Sequence, residues 1–148
     1  MNFQRETLFD VIEEAQPLLD LHYQELTRNK EIVKLNPQWD KYAVLESIGA
    51  FVVFTCRDAG ALVGYSAFFL NTHFHYADLM VAQNDLFYLS ESTRKGMAAL
   101  RFIRFCEAQL KDMGAHKIIY HAKHSNNFAP ILNRLGYSSE ETMCGKII

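Results

Sequence analysis

Ser90–Lys111, SESTRKGMAALRFIRFCEAQLK, decides how the rest of the chain is read. Ala99, Phe102 or Ile103, Cys106, Leu110 and, just beyond, Met113 recur at intervals of three or four residues. That spacing puts them on one face of an α-helix. The helix is entered through a short basic turn, Thr93-Arg94-Lys95-Gly96-Met97-Ala98. A helix start carries unpaired N–H groups and the positive end of the aligned peptide dipoles. Gly96 has no Cβ to hold a ligand off the backbone, and Arg94 and Lys95 add positive charge. The combination predicts an anion site suited to a phosphate or diphosphate. A glycine turn before a helix is weak evidence alone. Its weight comes from the preceding run, Leu79–Leu89, which is apolar and aromatic enough for a central strand.

Upstream of that run, Ala50–Arg57 (AFVVFTCR) is strand-like, Asp58-Ala59-Gly60 is a hairpin turn, and Ala61–Leu70 returns as the partner strand. Asn71–Asp78 reads as a polar connection or a strand end. Residues 1–6 suit a short first strand. Leu8, Ile12, Ala15, Leu19, His22 and Leu26 follow in steps of four and three, which predicts a helix. Thr7 and Asp10 form a capping pair at its start. Pro17 removes one helical hydrogen bond, so a kink or break is expected near Glu13–Gln16. Asn36-Pro37 marks a turn, and Asp40–Ile48 a short helix stopped by Gly49. Downstream, Lys117–Ala122 (KIIYHA) reads as a buried strand. Ser125-Asn126-Asn127 offers N-caps for a helix through Leu135, with Phe128, Ile131, Leu132 and Leu135 as its apolar face. Tyr137–Ile148 is expected to supply one or two closing strands. No repeat, low-complexity segment or linker interrupts the chain, so residues 1–148 form one domain. The element order predicts an α/β fold of the mixed α+β kind: a central mixed, mostly antiparallel sheet with helices on both faces.

A chain of 148 residues can bury a full core, and 49% hydrophobic with 22% charged residues is ordinary for a globular domain. A net charge of −2 argues against a nucleic-acid binder. The charge is uneven, however. Residues 94–123 carry seven bases against two acids, and a basic half suits an anionic cofactor. The N-terminal 50 residues hold nine acids and five bases, which mildly favours a cationic acceptor. Cys56, Cys106 and Cys144 are far apart and form no CxxC pair, as expected of reduced thiols in a cytoplasmic protein. No signal peptide or membrane-length apolar run is visible, so no membrane partner is expected.

With these elements in place, the chain resembles the GNAT family of acyl-CoA-dependent N-acyltransferases. The likeness runs over nearly the whole chain by element order and is densest from Leu86 to Tyr137. The family signature is Arg or Gln, two residues, Gly, one residue, then Gly or Ala. Thr93-Arg94-Lys95-Gly96-Met97-Ala98 matches at Gly96 and Ala98 and departs at Thr93. Leu135-Gly136-Tyr137 is similar to the family's Leu-Gly-Phe, and Leu62-Val63-Gly64-Tyr65 to the segment before the sheet's main bend. The resemblance implies acetyl-CoA as cosubstrate. Its pyrophosphate would lie on the N–H groups of Arg94, Lys95, Gly96, Met97, Ala98 and Ala99. Its pantetheine would run along Phe87, Tyr88 and Leu89 like an added strand and meet Asn126 or Asn127. It also implies an amine acceptor, a small molecule or a protein, and a homodimer is one option for assembly.

Acyl transfer to an amine needs a base to take the ammonium proton. The family usually places a carboxylate on the strand before the pyrophosphate turn, and Asp85 and Glu91 are the only acids in Leu79–Arg94. Asp85 lies within the strand, where an isolated carboxylate is costly to bury; it is the catalytic candidate, and a hydrogen-bonded acid at a strand bulge is the plainer alternative. The tyrosine that many members use to protonate the leaving thiolate would fall at Leu132. Tyr137 and His124 are the nearby substitutes, with water a third, and Tyr137 is carried forward as the catalytic candidate. His73 and His75 share a face if their stretch is extended and are candidate acceptor-binding groups; surface histidines at a hairpin end are the alternative. No third ligand accompanies them, so no metal is expected. Trp39, Tyr42 and His22 line the acceptor cleft or belong to the core. The leading reading is an N-acetyltransferase working by direct attack of a primary amine. Two others compete with it: an acyl-CoA-binding or regulatory module without turnover, and an interaction domain that keeps the fold but not the cofactor.

Overall fold

The computed structural model describes all 148 residues. In chain order the elements are β1 (Asn2–Glu6), α1 (Leu8–Leu26), α2 (Trp39–Ser47), β2 (Phe51–Asp58), β3 (Ala61–His73), β4 (Tyr76–Leu89), a 3-10 turn at Glu91–Thr93, α3 (Ala98–Asp112), β5 (Lys117–Ile119) and α4 (Ala129–Arg134). The strands pair in sequence order, with β1 to β4 antiparallel and β5 parallel to β4. Strand alternation gives the sheet two apolar faces. Val52, Phe54, Cys56, Phe68, Leu70, Ala82 and Leu89 pack against Phe102, Cys106 and Leu110 of α3. On the opposite face Phe51, Val53 and Ala67 meet Leu8 and Val11, while Leu62, Tyr65 and Tyr88 meet Ala15 and Leu19 of α1. Each fully buried large side chain, Phe102 among them, contributes about 1.5–3 kcal/mol of transfer free energy. The sheet is therefore the middle layer, and strand β4 is covered on both faces.

Three expectations need correction, and the two readings of Asn71–Asp78 resolve in favour of strand ends. Helix α1 runs unbroken through Pro17. Pro17 is on the solvent side, so the carbonyl it leaves without a donor can be met by water, while buried Leu8, Val11, Ala15 and Leu19 hold the turns on either side. Asn71–Asp78 is mostly strand: β3 and β4 extend to His73 and from Tyr76, leaving Phe74-His75 as the hairpin end. Helix α4 begins later than expected. Its N-cap is Phe128, without a side-chain cap bond, and Asn126 instead accepts from the Phe128 N–H at 3.4 Å. Residues 137–148 form no strand. The Ser138-Ser139-Glu140-Glu141 start is polar and mostly exposed, and Glu140 is tied to Lys117 at 2.5 Å.

Gly64 has a packing role. A Cβ there would stand 2.4 Å from Leu89 Cδ2 and 2.6 Å from the Tyr88 carbonyl oxygen. The second neighbour is backbone in the adjacent strand and cannot rotate away. Gly64→Ala is expected to cost about 1–3 kcal/mol, measured as a lower urea midpoint with an unchanged slope. An unchanged midpoint would mean that β3 and β4 are less closely apposed than described.

Candidate functional site

The register of β4 breaks at one residue. Ala67 faces Leu86 and Phe68 faces Asn84, so Asp85 has no partner on β3 and forms a bulge. Asn84 stabilises the bulge from the α3 side: its amide nitrogen donates to the carbonyls of Ala67 (3.1 Å) and Leu86 (2.8 Å). Asp85 turns to the other face, where the Tyr42 hydroxyl donates to its Oδ2 at 2.9 Å. Tyr42 is held by aromatic neighbours, with ring centroids 4.9 Å from Phe51, 5.9 Å from Phe69 and 5.9 Å from Trp39. Burial raises the Asp85 pKa, while the Tyr42 bond and the charge of His121 lower it.

Beyond the bulge, β4 and β5 part. They pair only at Val81↔Lys117, Ala82↔Ile118 and Gln83↔Ile119. β4 then continues to Leu89 with no strand on its β5 side. The Ser90 N–H donates to the Val63 carbonyl at 2.8 Å, which sets the phase of the ladder. Ser90, Tyr88 and Leu86 direct their backbone groups to β3, and Phe87 and Leu89 direct theirs to the open edge. Phe87 and Leu89 thus suit an added strand and Tyr88 does not. The Tyr88 side chain is buried on the α1 face, with its hydroxyl on Glu25 at 2.9 Å.

The turn after β4 supplies the most distinctive feature. Gly96 is left-handed (φ 72°), between a right-handed Arg94 and the α3 N-cap Met97 (φ −99°, ψ 6°), which has no side-chain cap bond. Nothing lies within 4 Å of where a Gly96 Cβ would be. The N–H groups of Lys95, Gly96, Met97, Ala98, Ala99 and Leu100 have no acceptor in the protein; the first helical bond here is Arg101 N–H to the Met97 carbonyl. A run of free donors around a left-handed glycine at a helix start forms an anion-binding concavity.

Arg94 is a correction to the expected set. Its N–H is taken by the Glu91 carbonyl at 3.3 Å. Its guanidinium donates to the Leu89 carbonyl (2.7 Å) and to Glu25 (2.6 Å), and lies 5.0 Å over the Tyr88 ring. It clamps the turn to α1, which leaves Lys95 as the free cation. Lys123 makes a second tie to the same end of α1, donating to the Leu26 carbonyl at 2.6 Å. His22 lies between them, its Nδ1 2.9 Å from the Tyr65 hydroxyl. Burial, with Lys123 and Arg94 adding, lowers its pKa to about 4, so the ring is neutral at physiological pH.

The other expected residues are dispersed. Tyr137 packs edge-on against Tyr120, 5.4 Å between centroids, beside Glu107 on the α3 side. Asp85 faces α2, so the sheet separates the two catalytic candidates. His124 is exposed in the turn after β5. His73 and His75 do not share an extended face: His73 ends β3 and His75 lies in the exposed hairpin end, where His73 Nδ1 accepts from the His75 N–H at 3.1 Å. Asn126 and Asn127 sit in the turn before α4, with the Asn126 N–H on the Lys123 carbonyl at 3.1 Å. Sequence reasoning missed the Tyr42 bond, the Gln83–His121 contact at 3.0 Å across the start of the gap, and the double tie at the end of α1. Tyr42 and Asp85 are 43 positions apart, and no local signal joins them.

No group of three or more His, Cys, Asp or Glu side chains is gathered to hold a metal ion, and no helix is long and apolar enough to cross a membrane.

No protein-family model matches the sequence, and no curated protein sequence matches it. Solved structures do. A ribosomal-protein-alanine N-acetyltransferase from Brucella melitensis biovar Abortus 2308 aligns with a TM-score of 0.72 at 18% identity, covering 100% of this chain and 99% of that one. A predicted acetyltransferase from Clostridium acetobutylicum, solved with acetyl-CoA, gives 0.73 at 11% identity over 99% and 95%. An aminoglycoside acetyltransferase from an uncultured soil metagenomic sample, in complex with trehalose, gives 0.74 at 13% identity over 99% and 94%. These likenesses establish the architecture: the chain has the GNAT acetyltransferase fold.

Proposed function

We propose that this chain transfers an acetyl group from acetyl-CoA to a primary amine by direct attack. The observation that carries the reading is the run of free N–H groups from Lys95 to Leu100, next to an open β4 edge that leads to a half-buried carboxylate. Acetyl-CoA supplies the activated acyl group. The free N–H groups and Lys95 would hold its diphosphate, with charge-assisted bonds from backbone donors. The Phe87 N–H and C=O and the Leu89 N–H would pair with its amide-bearing arm, as in strand addition. The Leu89 carbonyl is already used by Arg94.

At the bulge, Asp85 Oδ1 is the oxygen left free by Tyr42. It would take the proton from the incoming ammonium, directly or through one water, so that a neutral amine attacks. Tyr137 cannot share that step from the far side of the sheet. A thiol's ordinary pKa of about 8.5 lets water protonate the departing thiolate without an assigned side chain. A binding module without turnover would share the turn and the open edge, but would have no use for a carboxylate oriented by a hydroxyl at the bulge.

The test is thiol release from acetyl-CoA with a panel of amines, followed by mass spectrometry of the amine product. Amine-dependent release is expected; tight acetyl-CoA binding with no release on any amine would favour the module.

Tyr42 makes a pH prediction. The amine reaction needs ionised Asp85, so kcat/KM falls as pH drops through its pKa. Tyr42 donates to the ionised form and holds that pKa down against burial. Tyr42→Phe is therefore expected to move the acid limb of the kcat/KM profile to higher pH. An unmoved limb would detach Tyr42 from the base.

A further inference from the structure

The charges around the bulge bear on which amines fit, given the reading above. Asp85 is faced by Tyr42 from α2 and His121 from the segment after β5; no second carboxylate acts on it. Four of the nine carboxylates in residues 1–50 are committed elsewhere. Glu6 and Glu14 bind Arg57 at 2.9 and 2.8 Å. Glu46 accepts from the Leu8 N–H at 2.9 Å, and Glu25 holds Arg94 and Tyr88.

On the α1 side of the sheet, between α1 and the loop that joins it to α2, lies an open polar groove of about 820 Å³. Asp20, Lys30 and Lys34 line it with Gln16, Gln24 and the ring of Trp39; Asp20 accepts from the Gln16 amide at 3.3 Å and Lys30 donates to the Gln24 carbonyl at 2.5 Å, which leaves Lys34 as the unengaged cation. Its formal charge is one positive (two lysines, one aspartate). Trp39 connects groove and bulge, since its ring lies 5.9 Å from Tyr42, whose hydroxyl is on Asp85.

A single carboxylate joined through Tyr42 and Trp39 to a net-positive groove can neutralise one ammonium and disfavours a second. We infer that the acceptor is a primary amine with one positive charge and a neutral or anionic remainder that lies toward the Lys30 and Lys34 groove. Compounds with several cationic amines are poor acceptors.

The experiment measures kcat/KM with acetyl-CoA for a tripeptide with a free N-terminus, an amino-sugar phosphate, spermidine and an aminoglycoside, on the full chain and on Lys34→Glu. Lys34 makes no hydrogen bond within the protein and is exposed, so the variant should fold; it turns the groove from one positive to one negative charge. The better singly charged compound is expected to exceed both polycations by at least about tenfold, and Lys34→Glu to narrow that ratio by about fivefold or more. A polycation as best acceptor, or a ratio indifferent to Lys34→Glu, overturns the inference and leaves the transferase reading standing. Transfer to none of the four, at saturating acetyl-CoA, overturns the acceptor assignment together with the reading it rests on.

Discussion

Replacing Gly96 by glutamate is expected to weaken acetyl-CoA binding by at least about a hundredfold, equivalent to roughly 2.7 kcal/mol, while the protein stays folded. The backbone at Gly96 is left-handed, so any other residue there carries strain of about 1–2 kcal/mol. No atom lies within 4 Å of the new Cβ, so strain is the only folding cost. The glutamate carboxylate would then compete for the free N–H groups of Lys95–Leu100 and repel a diphosphate. Gly96→Ala separates the two effects. It carries the same strain without the charge and should lower the melting temperature while keeping acetyl-CoA affinity within about tenfold. Calorimetric titration of both variants is the measurement. Equal affinities for wild type and Gly96→Glu would place the cofactor elsewhere.

Asp85→Asn is expected to lower kcat/KM for the amine by about a hundredfold to a thousandfold with acetyl-CoA affinity unchanged. Asparagine fits the bulge and still accepts from Tyr42, so geometry is kept and only the proton acceptor is lost. Stability gives an independent check. The Asp85 pKa is raised on folding, chiefly by burial. The folded protein thus binds the proton more tightly than the unfolded chain, and Asp85 subtracts from stability as pH rises through its folded pKa. Above that pKa, Asp85→Asn should be as stable as the wild type or more so. A variant that is fully active would remove Asp85 from the chemistry, and one that is unfolded would make it structural.

Some of this was legible in residue order and some was not. The steps of four and three along α1 and the glycine turn before α3 are local patterns, and both elements form where those patterns are. The bulge is not local. The polar triplet Gln83-Asn84-Asp85 inside the apolar run Leu79–Leu89 is the trace it leaves, enough to suggest a hydrogen-bonded acid at a bulge but not to name Tyr42 as its partner. Arg94 looked like a phosphate ligand because its neighbours in sequence are Lys95 and Gly96. Its real partners, Glu25 and Tyr88, belong to other elements. Tyr137 was chosen by proximity in sequence to α4, and only the sheet's two-sidedness reveals that it lies across from Asp85. Pro17 shows the opposite imbalance: a local rule predicted a kink or a break, and the burial of four α1 side chains kept the helix unbroken.

The most direct measurement is a ¹⁵N–¹H titration of the labelled protein with acetyl-CoA, following the backbone amides of Lys95, Gly96, Met97, Ala98, Ala99 and Leu100. These groups lack acceptors in the ligand-free protein. Large downfield proton shifts concentrated on them, and reduced in the Gly96→Glu variant, are the predicted result. Saturating acetyl-CoA that leaves these six resonances in place would contradict the account.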